Sequence, residues 1–279
     1  MKGNQIMQDV FSNPVCPVPN TNRSQKFIRG LITEKIGQQA YFFDEVTSTQ
    51  DVARKLITNG VHEGTLVVSD RQIQGRGRLA RKWHSRENKG IWATLIIRPD
   101  LPARRLPQFT LLTAVAISQA LEETTGIIPE IKWPNDILVR GKKLCGILTE
   151  MVPGTNGLPA LMIGFGINVG HRADDFPSDI KGRATSLFLE TGKEWDHDEI
   201  LQVICNRFEK LYAILIKEGF SPIKTLWESY CISLGHVITA RTVSGTITGE
   251  ALGIDHEGVL LLKNADGRIE RLYSADIVT

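Results

Sequence analysis

Gln72-Ile-Gln-Gly-Arg-Gly-Arg-Leu-Ala-Arg-Lys-Trp83 stands between two short apolar runs, Gly64-Thr-Leu-Val-Val-Ser-Asp70 and Gly90-Ile-Trp-Ala-Thr-Leu-Ile-Ile-Arg98. Both runs are short and apolar, with β-branched residues, and read as buried strands. Gly-Arg letters also occur in disordered nucleic-acid-binding tails and in plain turns, but a tail is not bracketed by two core strands. The segment is therefore a connection on a folded scaffold, where functional residues concentrate. Its composition suits an anion. Gly75 and Gly77 let the backbone turn its N–H groups toward a ligand, and Arg71, Arg76, Arg78, Arg81 and Lys82 supply charge. Guanidinium groups match carboxylate or phosphate oxygens two at a time.

Those five cations occur without one acid between residues 71 and 82, in a chain whose net charge is only +2. A balance so near zero argues against bulk nucleic-acid binding, which needs a strongly basic domain. The 279 residues are enough for about two domains with a substantial core. No apolar run approaches the roughly 18 residues of a membrane span, and the N-terminus lacks the apolar stretch of a secretory signal. A cytoplasmic location is the default expectation. Cys16, Cys145, Cys205 and Cys231 are widely spaced and form no metal-ligand cluster with the six histidines, so reduced structural thiols are expected.

Outward from the loop, residues 1–25 carry Pro14, Pro17 and Pro19 without periodicity and read as a flexible arm. Tyr41–Val46 reads as a strand, and Ser48 with Asp51 as the cap of a helix that stops at Gly60. A second helix runs from Pro107 to Gly126. A third starts at Asp196, buries Ile200, Ile204, Phe208, Leu211 and Leu215, and ends at Gly219. Arg140-Gly-Lys-Lys143 reads as a tight hairpin turn that sets Asp136 opposite Cys145 and Gly146. Leu158–Val169 is a further strand, and its Gly164 and Gly166 suggest close backbone approach. Beyond about residue 232, short β-like runs separated by Gly and Asp suggest a small barrel of about 45 residues. Strands and helices thus fill residues 26–232, and a small β-barrel over 233–279 follows as an accessory domain.

Three further clusters carry chemistry. Lys132-Trp-Pro-Asn-Asp136 presents an aromatic face, an amide and a carboxylate at a strand entrance, and the hairpin brings Lys143 and Gly146 beside it. Lysine, acid, amide and glycine together are what nucleotide and Mg²⁺ require. Gly164-Phe-Gly-Ile-Asn168 adds two glycines and an amide. Ser48, Thr49 and Gln72 offer donors and acceptors to a neutral polar group such as a urea, while the backbone N–H groups of the helix start are donors themselves. Trp83 is expected as an apolar wall and Trp92 as core.

With Lys143-Leu-Cys-Gly-Ile147, these motifs fall in the order and approximate spacing of the biotin-protein ligases, which the chain resembles from about residue 40 to its C-terminus. It departs from the family at Ala80, where another glycine is common, and in an N-terminal region too short for the winged-helix domain some members use as repressors. The resemblance implies that Ser48, Thr49, Gln50 and Gln72 bind the biotin head. Gly75, Arg76, Gly77 and Arg78 would fold over its carboxylate and the phosphate, and Trp83, Gly146 and Gly164 would complete the biotin pocket. Lys143 and Arg78 are the implied catalytic cations. Arg78, Arg81, Asn135, Asp136, Lys143 and Asn168 would serve ATP, with Asp136 holding Mg²⁺. It further implies an α+β fold, with a mixed-sheet catalytic domain over residues 26–232 and an SH3-like C-terminal domain over 233–279 placed to cover the nucleotide or touch a carrier. It also implies a biotin carboxyl carrier protein as acceptor and no sequence-specific DNA binding. A lipoate-protein ligase or octanoyl transferase is the nearest rival and would need a long apolar slot. A ligand-responsive repressor would need a helix-turn-helix before residue 40, and an RNA-binding module leaves Lys132–Asp136 and Lys143 unexplained.

Overall fold

The computed structural model describes residues 17–154 and 159–278. A seven-stranded mixed sheet forms its centre, with strands β1 (Ala40–Val46), β2 (Leu66–Gln72), β3 (Gly90–Ile97), β4 (Glu130–Lys132), β5 (Asp136–Val139), β6 (Lys142–Val152) and β7 (Ala160–Asn168) in the order β1-β2-β3-β7-β6-β5-β4. Only β1 and β2 pair in parallel, because helix α2 (Thr49–Thr58) crosses over between them. Every residue of β3 and β7 is buried, as expected for central strands covered on both faces. The expected start of β7 at Leu158 lies outside the described residues.

One face receives α2, whose Val52, Ala53, Leu56 and Ile57 pack with Phe43, Val67, Ile96 and Met162. The other receives α3 (Leu106–Thr125) and α5 (His197–Glu218), separated in sequence by the short α4 (Leu187–Thr191), and then α6 (Ser221–Tyr230). Helix α3 begins with proline in its first turn and stops at Gly126 in the left-handed region, which glycine adopts without steric cost. Asp196 caps α5 through the Asp198 and Glu199 amides, as its spacing suggests. The hairpin register agrees with its expectation: Asp136 pairs with Gly146 and Ile137 with Cys145. Arg140 and Gly141, both at positive φ, make the turn.

Residues 21–25, expected in a flexible arm, instead open a helix, α1 (Thr21–Arg29), capped by Asn20; residues 1–16 lie outside the described residues. A helix this short is marginal alone. Tertiary contacts hold it: Phe27 is buried, Arg23 lies over the Phe42 ring, and its guanidinium pairs with Asp70 at 2.7 Å and Asp198 at 2.8 Å. Asn20 N also donates to Phe42 O, and at the far side of the sheet Ile232 N donates to Ile131 O.

The C-terminal unit is a five-stranded antiparallel sheet of β8 (Val237–Thr242), β9 (Gly245–Ile254), β10 (Leu260–Lys263), β11 (Ile269–Leu272) and β12 (Asp276–Val278), in the order β11-β10-β9-β8-β12. The expected barrel is therefore not closed, since among the described residues β11 and β12 are not paired with each other. This sheet docks on the start of α3. Gln108 Nε2 donates to His256 O at 2.8 Å, Arg104 pairs with Glu257 at 3.2 Å, and Gly258, at φ +87, packs so closely on Leu111 that a Cβ there would approach its Cδ1 to 2.9 Å.

Candidate active site

Strands β3, β7 and β6 build a floor in which Gly146, Gly164 and Gly166 carry no side chain. Gly164 opposes Thr94 on one side and Leu148 on the other, while Gly166 opposes Trp92 and Gly146. Side chains alternate along a strand, so Gly164 and Gly166 face the same way, about 7 Å apart. Other residues fill the space. A Cβ on Gly166 would lie 2.5 Å from Trp83 Nε1, one on Gly146 2.8 Å from Trp83 Cζ3, and one on Gly164 2.4 Å from Gln50 Nε2. The indole thus lies on two glycines and the Gln50 amide on the third. Gly166, expected with Gly164 to allow close approach but not named among the biotin-pocket residues, lies under the indole.

The neutral end is a hydrogen-bond chain. Ser48 is buried as the cap of α2, its Oγ accepting from Gln50 N at 3.3 Å. Thr49 Oγ1 meets Thr94 Oγ1 at 2.8 Å, and Thr49 N donates to Gln72 Oε1 at 2.9 Å. Gln72 Nε2 in turn donates to Ser85 Oγ at 2.8 Å. Thr94 and Ser85 complete a set of which sequence reasoning found only Ser48, Thr49, Gln50 and Gln72. Gln50 Nε2 donates to Leu148 O, while its buried Oε1 has no partner among the described residues.

The glycine-rich loop folds back on itself: Trp83 N donates to Gly75 O and Gly77 N to Arg81 O. Gly75 is required here, since a Cβ would stand 2.6 Å from Trp83 O. Between the glycines and Trp83, Leu79 and Ala80 both hold positive φ. The alanine that departs from the family pattern therefore sits where an L-residue costs roughly 1 kcal/mol or more. Arg76 pairs with Asp51 of α2, and Arg81 with Asp276. Arg78 donates to Asn135 Oδ1 at 2.9 Å, and Asn135 Nδ2 to Ile147 O at 2.8 Å.

Lys143 stands at the cationic end. Its Nζ is 2.6 Å from Asp136 Oδ1 and 5.3 Å from the centre of a Trp83 ring. Burial pulls the Arg78 guanidinium below its ordinary pKa while Asp276 and Asp136 push it back; a guanidinium so placed keeps its proton at neutral pH. Asn168 is buried and its Nδ2 donates to Thr185 O, which ties that amide to the neighbouring segment. Among the described residues no cluster of three or more metal-ligating side chains exists. A single carboxylate at Asp136 fits Mg²⁺ delivered with phosphate oxygens and water, the usual mode for nucleotide-bound magnesium.

Beneath Trp83 lies an aromatic stack. Trp92 meets Trp83 edge-on at 6.3 Å and His171 at 5.9 Å, and His171 stacks on Phe176 at 4.9 Å. Burial pushes the His171 pKa down to about 4. Because the folded value lies below the unfolded one, this histidine's contribution is fully present above about pH 6.5 and is lost as pH falls toward 4. Thermal midpoints measured from pH 7.5 to 4.5 should fall by an amount corresponding to about 2 kcal/mol more in the parent than in His171→Phe. Equal slopes would remove His171 as the cause.

Comparison with known proteins adds three findings. The model of the Biotin/lipoate A/B protein ligase family matches residues 42–168, and that of the Biotin protein ligase C terminal domain matches 233–279. The Bifunctional ligase/repressor BirA of Bacillus spizizenii is 51% identical over 248 residues, 89% of this chain and 76% of the relative; the Biotin--[acetyl-CoA-carboxylase] ligase of Paracoccus denitrificans is 34% identical over 226 residues, 79% and 92%. Among solved structures, the biotin protein ligase from Aquifex aeolicus in complex with biotin and ATP aligns with a TM-score of 0.76 at 34% identity, covering 86% of this chain and 98% of that one.

Proposed function

The chain belongs to the biotin/lipoate A/B protein ligase family, and from that premise we propose that it activates biotin with ATP to biotinyl-5′-adenylate and transfers the biotinyl group to one lysine of a biotin carboxyl carrier domain. The observation that carries the reading is a glycine floor with opposite ends, neutral hydrogen-bonding groups at Gln50 and cations at Lys143 and Arg78. A ligand with a polar uncharged head, an apolar body and a terminal carboxylate fits that sequence of environments. Residues 26–232 serve as the catalytic unit and 233–279 as the C-terminal unit in this proposal.

Two anions must meet. A carboxylate oxygen of biotin attacks the α-phosphorus of ATP, and pyrophosphate leaves. Lys143 holds the carboxylate and α-phosphate together, Arg78 covers the phosphate, and Asn135 and Asp136 position the nucleotide with its Mg²⁺, which screens the phosphate charge. Arg76, Arg81 and Asn168 are assigned to the rim of this site. In the second step the carrier's neutral lysine amine attacks the anhydride carbonyl, forming an amide and releasing AMP and a proton. Trp83 and the folded loop keep water from the anhydride.

Gln50 Oε1 favours biotin over lipoate. A ureido N–H would satisfy that buried acceptor, whereas a lipoyl or octanoyl chain would leave it unpaired at a cost of about 1–3 kcal/mol. The decisive experiment incubates the protein with Mg-ATP, a carrier domain and either biotin or lipoate, followed by intact-mass spectrometry. One biotinyl adduct on one lysine, with AMP produced, is expected; a lipoyl adduct or none would overturn the proposal.

Among the described residues no helix is long and apolar enough to cross a membrane, and the cytoplasm, where ATP and carboxylases meet, is the proposed compartment. Sequence-specific DNA binding is not expected of this chain. Among the described residues before β1 there is one nine-residue helix, fixed to the domain by Arg23 and Phe27, rather than a two-helix reader. A biotin-dependent, sequence-specific mobility shift at physiological salt would contradict this; nonspecific retention at low salt would not, since any arginine loop produces it.

A further inference from the structure

The arginines of the glycine-rich loop are held from the far side by the C-terminal sheet. Arg78 Nη2 donates to Ser274 Oγ at 2.5 Å and its Nη1 reaches Ala275 O at 3.5 Å, while Arg81 pairs with Asp276. The segment that makes these contacts is itself anchored. Ala275 and Ile277 are buried, and Ile277 and Val278 pair with Ala240 and Thr239 of β8. Ser274, in the bend before the strand, and Asp276, its first residue, both reach the loop. Within the loop the opposing tendency is visible at Leu79 and Ala80, whose positive φ values strain the turn between the two arginines.

We propose that Asp276 is a positioning residue for the first half-reaction: by pairing with Arg81 it holds the glycine-rich loop against the C-terminal sheet, so that Arg78 stays aimed beside Asn135 at the nucleotide phosphate. Asp276 touches neither substrate in this scheme. It acts through Arg81, and Ser274 supports Arg78 directly. The inference rests on the ligase reading for its kinetic consequence, but the latch itself is a property of the ligand-free chain. An ion pair in which Arg81 is mostly exposed is weak. The latch therefore holds the loop closed by a modest factor, which suits a segment that must open to admit substrate and release product.

The test uses the full chain with D276A, D276E, R81Q and the double variant D276A/R81Q. Hydrogen exchange of residues 73–83 in ligand-free protein reads the latch without reference to any reaction. Retention of biotinyl-adenylate after gel filtration reads its effect on catalysis. D276A and R81Q are each expected to speed loop exchange about three- to tenfold, and D276A, which touches neither substrate, to speed adenylate loss by a like factor with the KM for biotin little changed. D276E should return both rates to within about twofold of the parent. If the two residues act as a unit, the double variant is no worse than the poorer single one. Parental loop exchange in both singles, or additive effects in the double variant, would overturn the latch. Should D276A loosen the C-terminal sheet itself, R81Q decides alone, because a loop residue exposed to solvent carries no part of that fold. Faster loop exchange in both variants, with a parent that forms no adenylate from biotin, would sustain the latch and remove only the ligase reading.

Discussion

Lys143→Ala is expected to lower biotin-dependent pyrophosphate exchange by at least about a hundredfold, or about 3 kcal/mol of barrier, while the protein remains folded. The first part follows from the charge balance of the proposed reaction. Carboxylate and triphosphate repel, and Lys143 is the cation standing at the end of the glycine floor, above Asp136 and beside Trp83. The second part follows from exposure. Both side chains of the Lys143–Asp136 pair reach solvent, so their ion pair contributes about 1 kcal/mol to stability, and loss of the ammonium, which leaves the buried Asp136 Oδ1 without its partner, destabilises the fold without unfolding it. Exchange within tenfold of the parent, in a variant that remains folded, would remove Lys143 from the chemistry.

Gly166→Ala should have the second-largest effect, and on binding rather than on the chemical step. The new methyl would sit 2.5 Å from Trp83 Nε1 and 2.6 Å from Cε2. Contacts that short cannot persist, and a rigid indole can relieve them only by lifting off the floor. Its backbone is tied to Gly75 O, so the loop is drawn with it. Biotin affinity by calorimetry is expected to fall by about thirtyfold or more, roughly 2 kcal/mol, the scale of a strained overpacking change. Gly170→Ala is the control: its methyl would meet Lys89 Cδ at 3.8 Å, an ordinary contact, and should leave binding unaltered. Affinity within threefold of the parent in Gly166→Ala would show that the indole is not a wall of the biotin pocket.

Local signals in the sequence were enough for the parts of the fold governed by local physics. The hairpin at Arg140–Gly141 needs two residues at positive φ, and the Asp136–Gly146 pairing follows from counting outward from that turn. Helix α5 carries its own cap and apolar stripe. Helix α1 has a cap in Asn20 but no stripe: one buried phenylalanine is no periodic pattern, and Arg23 finds its carboxylates 47 and 175 residues away. Within the site, Ser48, Thr49, Gln72, Lys143 and the loop were recognisable because each motif holds its reactive groups close in sequence. Gly166 is legible only as a point of close approach, because a bare glycine does not say which side chain will lie on it. Ser274 and Asp276 gave no signal, since a Ser-Ala-Asp step in a β-rich tail resembles any other. Nor could turn residues alone say whether five short strands close into a barrel, because closure depends on pairing between β11 and β12, which stay apart.

The bond from Asn20 N to Phe42 O has a consequence for the protein's behaviour in concentrated solution. Phe42 lies on β1, the outermost strand of the large sheet, and its carbonyl faces away from β2. Unpaired edges of this kind recruit strands from other molecules. Helix α1 lies against that edge, and at the opposite edge Ile232 caps Ile131 of β4, a strand only three residues long. Both ends of the sheet are thus blunted by chain segments from outside it. A chain trimmed through Arg29 would bare the carbonyl of Phe42 and the ring beneath Arg23 together, offering a template for intermolecular strand pairing and aggregation.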